Sequence, residues 1–296
     1  MGGPVDASCP CEYAPATRAD APNRLLVFRP GRYASPMPAP RRPSPASAPT
    51  GPRYGLARVL SKRGVCSRSQ AEQWVRAGRV AVGGRVVRDP EHPTAPEQRG
   101  ITVDGQPIGE AAPVYVMFNK PRGLVVSASD ERGRATVYDA LAQAGLPWLG
   151  AVGRLDKASE GLLLLSNDTA WAAGITDPVT HQEKTYHVQV DCVPDAALLA
   201  RLGEGVVDDG ERLAVLRVGL LRAGEKNAWL DIVLDEGRNR HIRRLLEAHG
   251  IGVLRLVRVA IGGLALGDLP KGQWRHLAAE EVEGLRVIPR ATGGRI

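Results

Sequence analysis

Aromatic residues and cysteines are scarce in this sequence of 296 residues. Aromatic residues make up 4% of the chain, and the cysteines are Cys9, Cys11, Cys66 and Cys192. Four cysteines at these spacings provide neither the paired ligands of a zinc site nor a disulfide framework. No apolar run reaches the roughly 18 to 20 residues of a membrane-spanning helix, and the N-terminus lacks a basic segment before a long apolar core. We therefore expect a soluble, cytoplasmic protein with no membrane partner and no metal site.

The charge balance changes along the chain. Lys and Arg number 39 against 32 Asp and Glu, which gives a formal charge of +7. Basic residues outnumber acidic ones by 7 to 3 over residues 1–53 and by 9 to 5 over 54–108, whereas residues 109–296 hold 23 and 24. The positive excess therefore lies ahead of residue 109. Hydrophobic content of 43% is ordinary for a globular chain, and the length fits two modest domains or one large one.

Residues 1–53 hold 12 of the 23 prolines. Such a segment cannot bury enough apolar surface to offset its ordering entropy, so we predict a disordered arm rich in proline and arginine. Two interpretations stay open: a solvated tail that includes residues ahead of the natural start, and an arm whose arginines touch an anionic partner. At the other end, residues 291–296 are expected to form a short tail.

Residues 54–108 have the pattern of a small folded module. Apolar residues recur at helical spacing in two short runs, and the alternation over residues 80–87 predicts a hairpin that turns at Gly83 and Gly84. The predicted boundary residues are Gly64 at the end of the first helix, Ser67 or Ser69 as the cap of the second, and Gly78 at its end.

One face of this module is expected to be strongly basic. Between residues 58 and 88 there are eight basic residues and one acidic residue, Glu72. Such a face suits a phosphate backbone, although charge that serves solubility alone is the other interpretation. The residues predicted to contact RNA are Arg58, Lys62, Arg63, Arg68, Arg76 and Arg79.

The same module resembles the S4-type RNA-binding domain, which is named after a ribosomal protein. The resemblance depends on Ser-Arg-Ser-Gln-Ala at residues 67–71 and on Gly-Arg-Val-Ala-Val-Gly-Gly at residues 78–84. Gly83 stands where the domain's pattern prefers Asn. Both residues tolerate a positive φ in a tight turn, so we expect the hairpin to form.

From residue 109 onward the chain is expected to be rich in strands, and a loop before an apolar strand carries a conspicuous carboxylate. Asp156 lies between Arg154 and Lys157, whose charges favour its ionised form. It could act as a nucleophile or base, or it could form a surface ion pair. An acid and base pair with Glu160, as in glycosidases, is the least favoured interpretation, because sequence spacing in a loop does not define the carboxyl separation.

Two further segments carry candidate functional residues. Residues 184–190 alternate as a strand, which places Tyr186 with the apolar residues and His187 on the other face. Tyr186 is then a core residue or a ring that stacks on a base, whereas His187 is expected to be structural.

A helix over residues 241–249 should end at Gly250. It begins within a group of arginines, which is unfavourable for the helix dipole and so indicates an anionic substrate, a buried carboxylate partner or simply a solvated helix start. This group consists of Arg238, Arg240, Arg243 and Arg244.

These segments together resemble the pseudouridine synthases that modify ribosomal RNA, in the branch that carries an N-terminal S4-type domain. The resemblance spans roughly residues 54–285 and depends on five motifs in order. They are Phe118-Asn119-Lys120-Pro121, Gly153-Arg154-Leu155-Asp156 with Glu160-Gly161-Leu162-Leu163, Lys184-Thr185-Tyr186, the run from Glu236 to Arg244, and Gly272-Gln273-Trp274-Arg275-His276-Leu277. His241 stands where the family often has Gln or Glu.

The resemblance implies a fold and a set of roles. The expected fold is α+β: a catalytic domain over residues 109–290 with a mixed, mostly antiparallel sheet, plus the small α/β RNA-binding domain over 54–108. Asp156 matches the family's essential aspartate, which attacks either the uracil ring or the ribose. Tyr186 matches the residue that packs on the target base, and Arg243 the arginine that pairs with the aspartate. Arg154 is the candidate wedge for the gap left by an extruded nucleotide, and Arg240 or Arg244 could contact phosphate.

The resemblance also implies an isomerase that needs no cofactor, because the reaction has no net redox change and no group donor. We expect the protein to be a monomer. Residues 130–137 and the Lys157-x-x-Glu160-Gly161 variant favour large-subunit ribosomal RNA, or the assembling ribosomal subunit, as the partner. Small-subunit ribosomal RNA and tRNA stay open as substrates. So does a role as a non-catalytic assembly factor that binds RNA.

Overall fold

The computed structural model describes residues 51–109, 112–128 and 130–286. The predicted arm, apart from its last three residues, and the predicted tail at residues 291–296 lie outside these ranges. No helix within the described ranges is long and apolar enough to cross a membrane.

The N-terminal module has the predicted two helices followed by a hairpin. Its elements are β1 (Tyr54–Gly55), α1 (Leu56–Lys62), α2 (Arg68–Arg76), β2 (Val80–Val82), β3 (Arg85–Val86), β4 (Pro93–Thr94), β5 (Ile101–Val103) and β6 (Gln106–Pro107). The Ser67 hydroxyl caps α2 by accepting from Gln70 N at 3.1 Å. Gly83 and Gly84 both have positive φ, which a two-residue turn of this kind requires. The predicted cap and turn are therefore confirmed.

The remaining elements alternate between strands and short helices. They are β7 (Tyr115–Lys120), α3 (Val137–Leu141), β8 (Gly150–Val152), β9 (Glu160–Ser166), α4 (Thr169–Thr176), β10 (Lys184–Val190), α5 (Ala196–Glu204), β11 (Val206–Asp208), β12 (Glu211–Leu213), β13 (Arg217–Ala223), β14 (Ala228–Leu234), α6 (His241–Ala248), β15 (Val253–Ile261), β16 (Leu264–Ala265), β17 (Trp274–His276) and α7 (Ala279–Gly284).

A mixed sheet organises this second part. Among the described residues it has nine strands in the order β13-β14-β10-β15-β9-β7-β17, with β16 on β15 and β8 on β9. The pair β15–β9 is parallel and the other pairs are antiparallel. The expected α+β class with a mostly antiparallel sheet is confirmed. Strand β9 is buried along its whole length, because apolar clusters cover both faces of the sheet there.

Strand β7 runs two residues further than the apolar pattern predicts. The sequence predicts an end at Phe118, yet the strand continues through Asn119 and Lys120, and both side chains are buried. Asn119 Nδ2 donates to the Leu269 carbonyl at 2.7 Å. The ammonium of Lys120 is likewise bound by carbonyl groups, so tertiary acceptors permit polar side chains at positions where hydropathy predicts a loop.

Gly161→Ala should strongly destabilise the protein. Gly161 has a φ of +100°, and a Cβ there would lie 2.2 Å from the Arg258 carbonyl oxygen on the neighbouring strand. Both strands are central to the sheet, so we expect a loss of about 3 kcal/mol or more in the free energy of unfolding, measured by urea denaturation. Gly174→Ala in α4 is the control, because nothing lies within 4 Å of its added Cβ. An unchanged unfolding midpoint for Gly161→Ala would contradict the close approach of β9 and β15.

Candidate active site

A cleft of about 510 Å³ opens on the face of the sheet that carries Tyr186. Its walls come from the loop before β9, the beginning of β10, the segment that leads into α6, and β15. Sequence-predicted residues from separate parts of the chain meet in it: Arg154, Asp156, Tyr186, Arg240 and Arg243. The volume lies within the range of pockets that hold small molecules, and a single nucleotide is of that size class.

The Asp156 side chain projects into the cleft without a partner in the described part of the chain. We call residues 153–159 the Asp156 loop. Its backbone is fixed at several points: the Asp156 carbonyl accepts from Ser159 N at 2.9 Å, and the Lys157 carbonyl accepts from Gly123 N at 2.8 Å. The carboxylate is exposed. A rigid backbone that holds an exposed, unpaired carboxylate suits a nucleophile better than a structural ion pair.

Lys120 holds the same loop from beneath. Its side chain is fully buried, and Nζ donates to the carbonyls of Ser159 at 2.7 Å and of Asp156 and Pro121 at 3.2 Å. Burial lowers the pKa of Lys120 to about 8, although the carboxylates of Glu160 and Asp156 act in the opposite direction. Lys120 belongs to the motif at residues 118–121, and neither the local pattern nor the resemblance gives it a role. The sequence feature that could have identified Lys120 is a lysine that interrupts an apolar run.

Arg243 approaches Asp156 without forming an ion pair. It extends from the first turn of α6, and its Nη2 donates to the Ala158 carbonyl at 3.3 Å. No Arg243 nitrogen lies within 4.0 Å of an Asp156 oxygen in the described ranges, so the expected direct pair is absent here. Burial lowers the pKa of Arg243, and the charge of Arg240 lowers it further, whereas Asp156 raises it. The guanidinium is therefore close enough to act on the carboxylate through space.

Tyr186 lies in the wall of the cleft. It is 8% exposed and points to the same face of β10 as the buried Val188 and Val190, as predicted. His187 faces the other side of the sheet, where Nε2 lies 3.7 Å from the Asp231 carboxylate. The predicted division of the two side chains between the two faces is confirmed.

The arginines at the beginning of α6 divide into free and paired ones. Arg240, at φ +50°, precedes the helix, and its exposed side chain lines the cleft, as does that of Arg154. Arg244 instead binds the carboxylates of Asp208 at 2.5 Å and Glu211 at 2.6 Å. Two carboxylates of the β11–β12 hairpin therefore occupy the Arg244 guanidinium, which makes the predicted contact with RNA less favourable.

The basic residues of the N-terminal module are also mostly paired. Arg68 binds Glu72 and Glu91, Arg76 lies 3.9 Å from Glu72, Arg79 binds Asp104, and Arg63 donates to the carbonyls of Pro96 and Gln98. Arg58 and Lys62 have no carboxylate partner among the described residues. They lie 4.7 Å and 4.4 Å from the centre of the Tyr54 ring, on one exposed side of α1. Of the six predicted RNA contacts in this module, Arg58 and Lys62 are therefore the two without a carboxylate or carbonyl partner among the described residues.

Glu160 does not form an acid and base pair with Asp156. It is 3% exposed, and it is bound by Arg255 and by Lys271. Burial acts to raise the pKa of Glu160, but the hydrogen bonds from Arg255 and Lys271 outweigh it and the pKa is lowered. Since Glu160 does not line the cleft, the glycosidase interpretation loses its second carboxylate.

Comparisons with known proteins show the family of the chain. A family model described as RNA pseudouridylate synthase matches residues 114–248, and an S4 domain model matches residues 55–95. "Ribosomal large subunit pseudouridine synthase B" of Haemophilus influenzae is 39% identical over 243 residues, which cover 79% of this chain and 67% of that protein. The protein of the same name from Bacillus subtilis is 35% identical, over 79% of this chain and 96% of its own. The chain belongs to the RNA pseudouridine synthase family.

A solved structure extends the likeness to the fold. The crystal structure of a pseudouridylate synthase has a TM-score of 0.55 and 30% identity, and the match covers 79% of this chain and all of that one. The enzyme is thus an isomerase that converts uridine to pseudouridine in RNA, and it carries an S4 domain ahead of its catalytic sheet. We refer to it below as the synthase.

Proposed function

We propose that the synthase isomerises one uridine of ribosomal RNA in the large subunit, with Asp156 as its nucleophile. The observation that carries the proposal is the unpaired Asp156 carboxylate, held by its backbone in a cleft of nucleotide size. The named relatives support the choice of RNA, because two proteins called large-subunit synthases match at 39% and 35% identity. On this proposal the enzyme works as a monomer in the cytoplasm, on ribosomal RNA or an assembling subunit.

The chemistry follows from the positions of the side chains. Asp156 forms a bond to the uracil ring or to the ribose carbon that bears it, the bond from the ribose to nitrogen 1 breaks, and the base rotates. The new bond from the ribose to carbon 5 displaces Asp156 from the ribose, whereas an aspartate bound to the ring leaves by elimination. Carbon 5 then loses its proton to solvent, and nitrogen 1 takes up a proton. Tyr186 packs against the base, and Arg243 lies near Asp156, whose charge acts to raise the pKa of the guanidinium. The reaction exchanges one bond for another within a nucleotide, so these residues supply it without a cofactor.

Access to the uridine requires extrusion of the nucleotide, which costs a few kcal/mol. Arg154 is exposed at the mouth of the cleft and is the proposed wedge, with Arg240 on the phosphate. Residues 54–108 are the proposed docking domain and residues 109–290 the proposed catalytic domain. Arg58 and Lys62, which have no carboxylate partner among the described residues, are its proposed phosphate contacts.

The test uses RNA labelled with tritium at carbon 5 of uridine. Wild-type protein is incubated separately with large-subunit transcripts, small-subunit transcripts, a tRNA pool and immature large-subunit particles. We expect tritium release from large-subunit RNA, either as a transcript or within the particles. Release from small-subunit RNA or tRNA alone would move the substrate to that RNA. If no RNA releases tritium while deletion of the protein disturbs subunit assembly, the non-catalytic assembly role is favoured instead.

The docking proposal predicts a change in salt dependence. Arg58→Gln combined with Lys62→Gln removes two cations, so the slope of log affinity against log salt should fall in magnitude by about 1.4 to 1.8. The matched control is Arg68→Gln with Arg76→Gln, whose guanidiniums are already paired with carboxylates, and its slope should stay close to that of wild type. Filter binding at several salt concentrations measures both. Equal slopes in the first variant and in wild type would mean that α1 does not meet the RNA.

A further inference from the structure

Arg258 is a buried cation in the middle of the sheet. It belongs to β15, which lies between β10 and β9, and its side chain is 4% exposed. The Nε donates to the Leu162 carbonyl at 2.8 Å. A charge at this depth is costly unless its donors are satisfied. The partners of the other guanidinium donors therefore indicate the role of Arg258.

One of those donors is unsatisfied. Arg258 Nη2 is buried and has no hydrogen-bond partner in the described part of the chain, and no carboxylate of that part lies within ion-pair distance of the guanidinium. Buried donors without a partner are rare in proteins, and each one calls for an explanation. Because Arg258 is part of the wall of the cleft, an acceptor that enters the cleft can supply the missing bond.

The residues beside Arg258 indicate which chemical group can bind in this part of the cleft. Tyr186 is its direct partner across the β10–β15 pair, so both side chains are on the same face of the sheet. Lys184, two residues before Tyr186, also lines the cleft and has no carboxylate within 4.0 Å in the described ranges. Burial lowers the pKa of Lys184, and the charge of Arg258 lowers it further, whereas Asp235 raises it. The ring and the two cations therefore line the same cleft.

We propose that Arg258 donates from Nη2 to a carbonyl oxygen of the target uracil and thereby helps to select uridine. This assignment rests on the proposed function, which places the base against Tyr186. Uracil carries a carbonyl at position 2 and another at position 4. Rotation about the axis through nitrogen 3 and carbon 6 exchanges nitrogen 1 with carbon 5, and it exchanges the two carbonyls as well. A fixed donor therefore meets a carbonyl oxygen both before and after the rotation.

Cytosine fails the same requirement. It has a carbonyl at position 2 and an amino group at position 4, so in one of the two orientations Arg258 faces a donor. A site that is built to hydrogen-bond one group discriminates strongly against an analogue that lacks the group, because the buried donor is then left unpaired. Arg258 is thus assigned as a specificity-determining residue for the base.

The test changes the acceptor atom in the RNA and the Arg258 donor in the protein in separate experiments. A short RNA that the wild type modifies is prepared with uridine, 2-thiouridine or 4-thiouridine at the target position, because sulfur is a weak hydrogen-bond acceptor. Single-turnover rates are measured by nucleoside chromatography after digestion. We expect the wild type to be slower on at least one thio substrate by about tenfold, the equivalent of one hydrogen bond of about 1.4 kcal/mol. The substrate that is slowed identifies the oxygen that accepts from Arg258 in the rate-limiting step.

The variants are Arg258→Met and Arg258→Lys. The rate ratio of uridine to thiouridine should fall close to one in both, even where the absolute rate falls because Leu162 has lost its partner. Lys keeps a buried charge that can still bind the Leu162 carbonyl, so it gives the same comparison if the Met variant does not fold. Arg255→Met is the matched control, since Arg255 lies on the opposite face of β15 beside Trp229. Its ratio should equal the wild-type ratio.

The outcomes are distinguishable. If the wild type modifies uridine, and the ratio stays at the wild-type value in both Arg258 variants, the assignment is wrong and Arg258 has a structural role alone. Equal wild-type rates on uridine, 2-thiouridine and 4-thiouridine also contradict the assignment of Arg258, and this result needs no variant. If the wild type forms no pseudouridine in any RNA, the proposed function fails before Arg258 is tested, and that result is seen with uridine itself.

Discussion

Asp156→Asn should abolish pseudouridine formation and leave RNA binding unchanged. The backbone bonds that hold the Asp156 loop use the main-chain carbonyls of Asp156, Lys157 and Ser159, and all of them persist in the variant. The amide of Asn has the same shape as the carboxylate but is not a competent nucleophile. We expect the single-turnover rate to fall on the order of 10⁴-fold or more. Tritium release measures the rate, and filter binding measures the affinity.

The matched control for that variant is Asp235→Asn. Asp235 is another carboxylate in the wall of the cleft, and it is bound to the His181 ring at 2.8 Å. It should retain measurable activity, which separates loss of the nucleophile from loss of negative charge in the cleft. A rate for Asp156→Asn close to that of wild type would remove Asp156 from the mechanism and leave the family assignment intact.

Lys120→Met should destabilise the synthase and slow it as well. The substitution keeps the apolar stem of the side chain but removes the ammonium donor from the carbonyl oxygens of Pro121 and Ser159, and it leaves the Asp156 carbonyl with Ser159 N alone. Unsatisfied buried acceptors cost about 1 to 3 kcal/mol each, and removal of the buried charge offsets part of this, so we expect a net loss of about 2 to 4 kcal/mol. Urea denaturation measures the loss.

Lys120→Met should also slow pseudouridine formation. The Asp156 loop loses the hydrogen bonds from Lys120, so the single-turnover rate should fall with little change in RNA affinity. Lys226→Met, in the exposed turn between β13 and β14, is the control and should unfold at the wild-type urea concentration. A Lys120→Met protein as stable as wild type would show that the loop is held by its other contacts.

The pKa of Lys120 predicts how the difference in stability between wild type and Lys120→Met varies with pH. The folded value of about 8 lies below the ordinary 10.5. Below pH 8 the amine is protonated in both folded and unfolded protein, so the full cost of the buried charge is present. Between pH 8 and 10.5 the folded protein releases its proton first, and the stability of wild type relative to Lys120→Met should rise by on the order of 3 kcal/mol. Parallel pH profiles for the two proteins would contradict the lowered pKa.

The sequence by itself determined the features that depend on neighbours along the chain. The helix cap at Ser67, the turn at Gly83, the face of β10 that carries Tyr186, and α6 from His241 onward follow from local periodicity and turn chemistry. The loop that bears Asp156 was visible for the same reason, as a charged segment ahead of an apolar strand. Spacing of a few residues decides all of these, and that information is contained in any short window of sequence.

Only the tertiary structure decided which charges are free. Arg79 meets Asp104 from 25 residues away, and Arg244 meets Asp208 from 36. A count of charges within a window therefore predicted RNA contacts for side chains that are already paired. The same holds for Lys120, whose acceptor at Ser159 is 39 residues distant, and for Arg258, 96 residues from Leu162. These pairs form where elements distant along the chain pack together, and no short pattern records such non-local contacts.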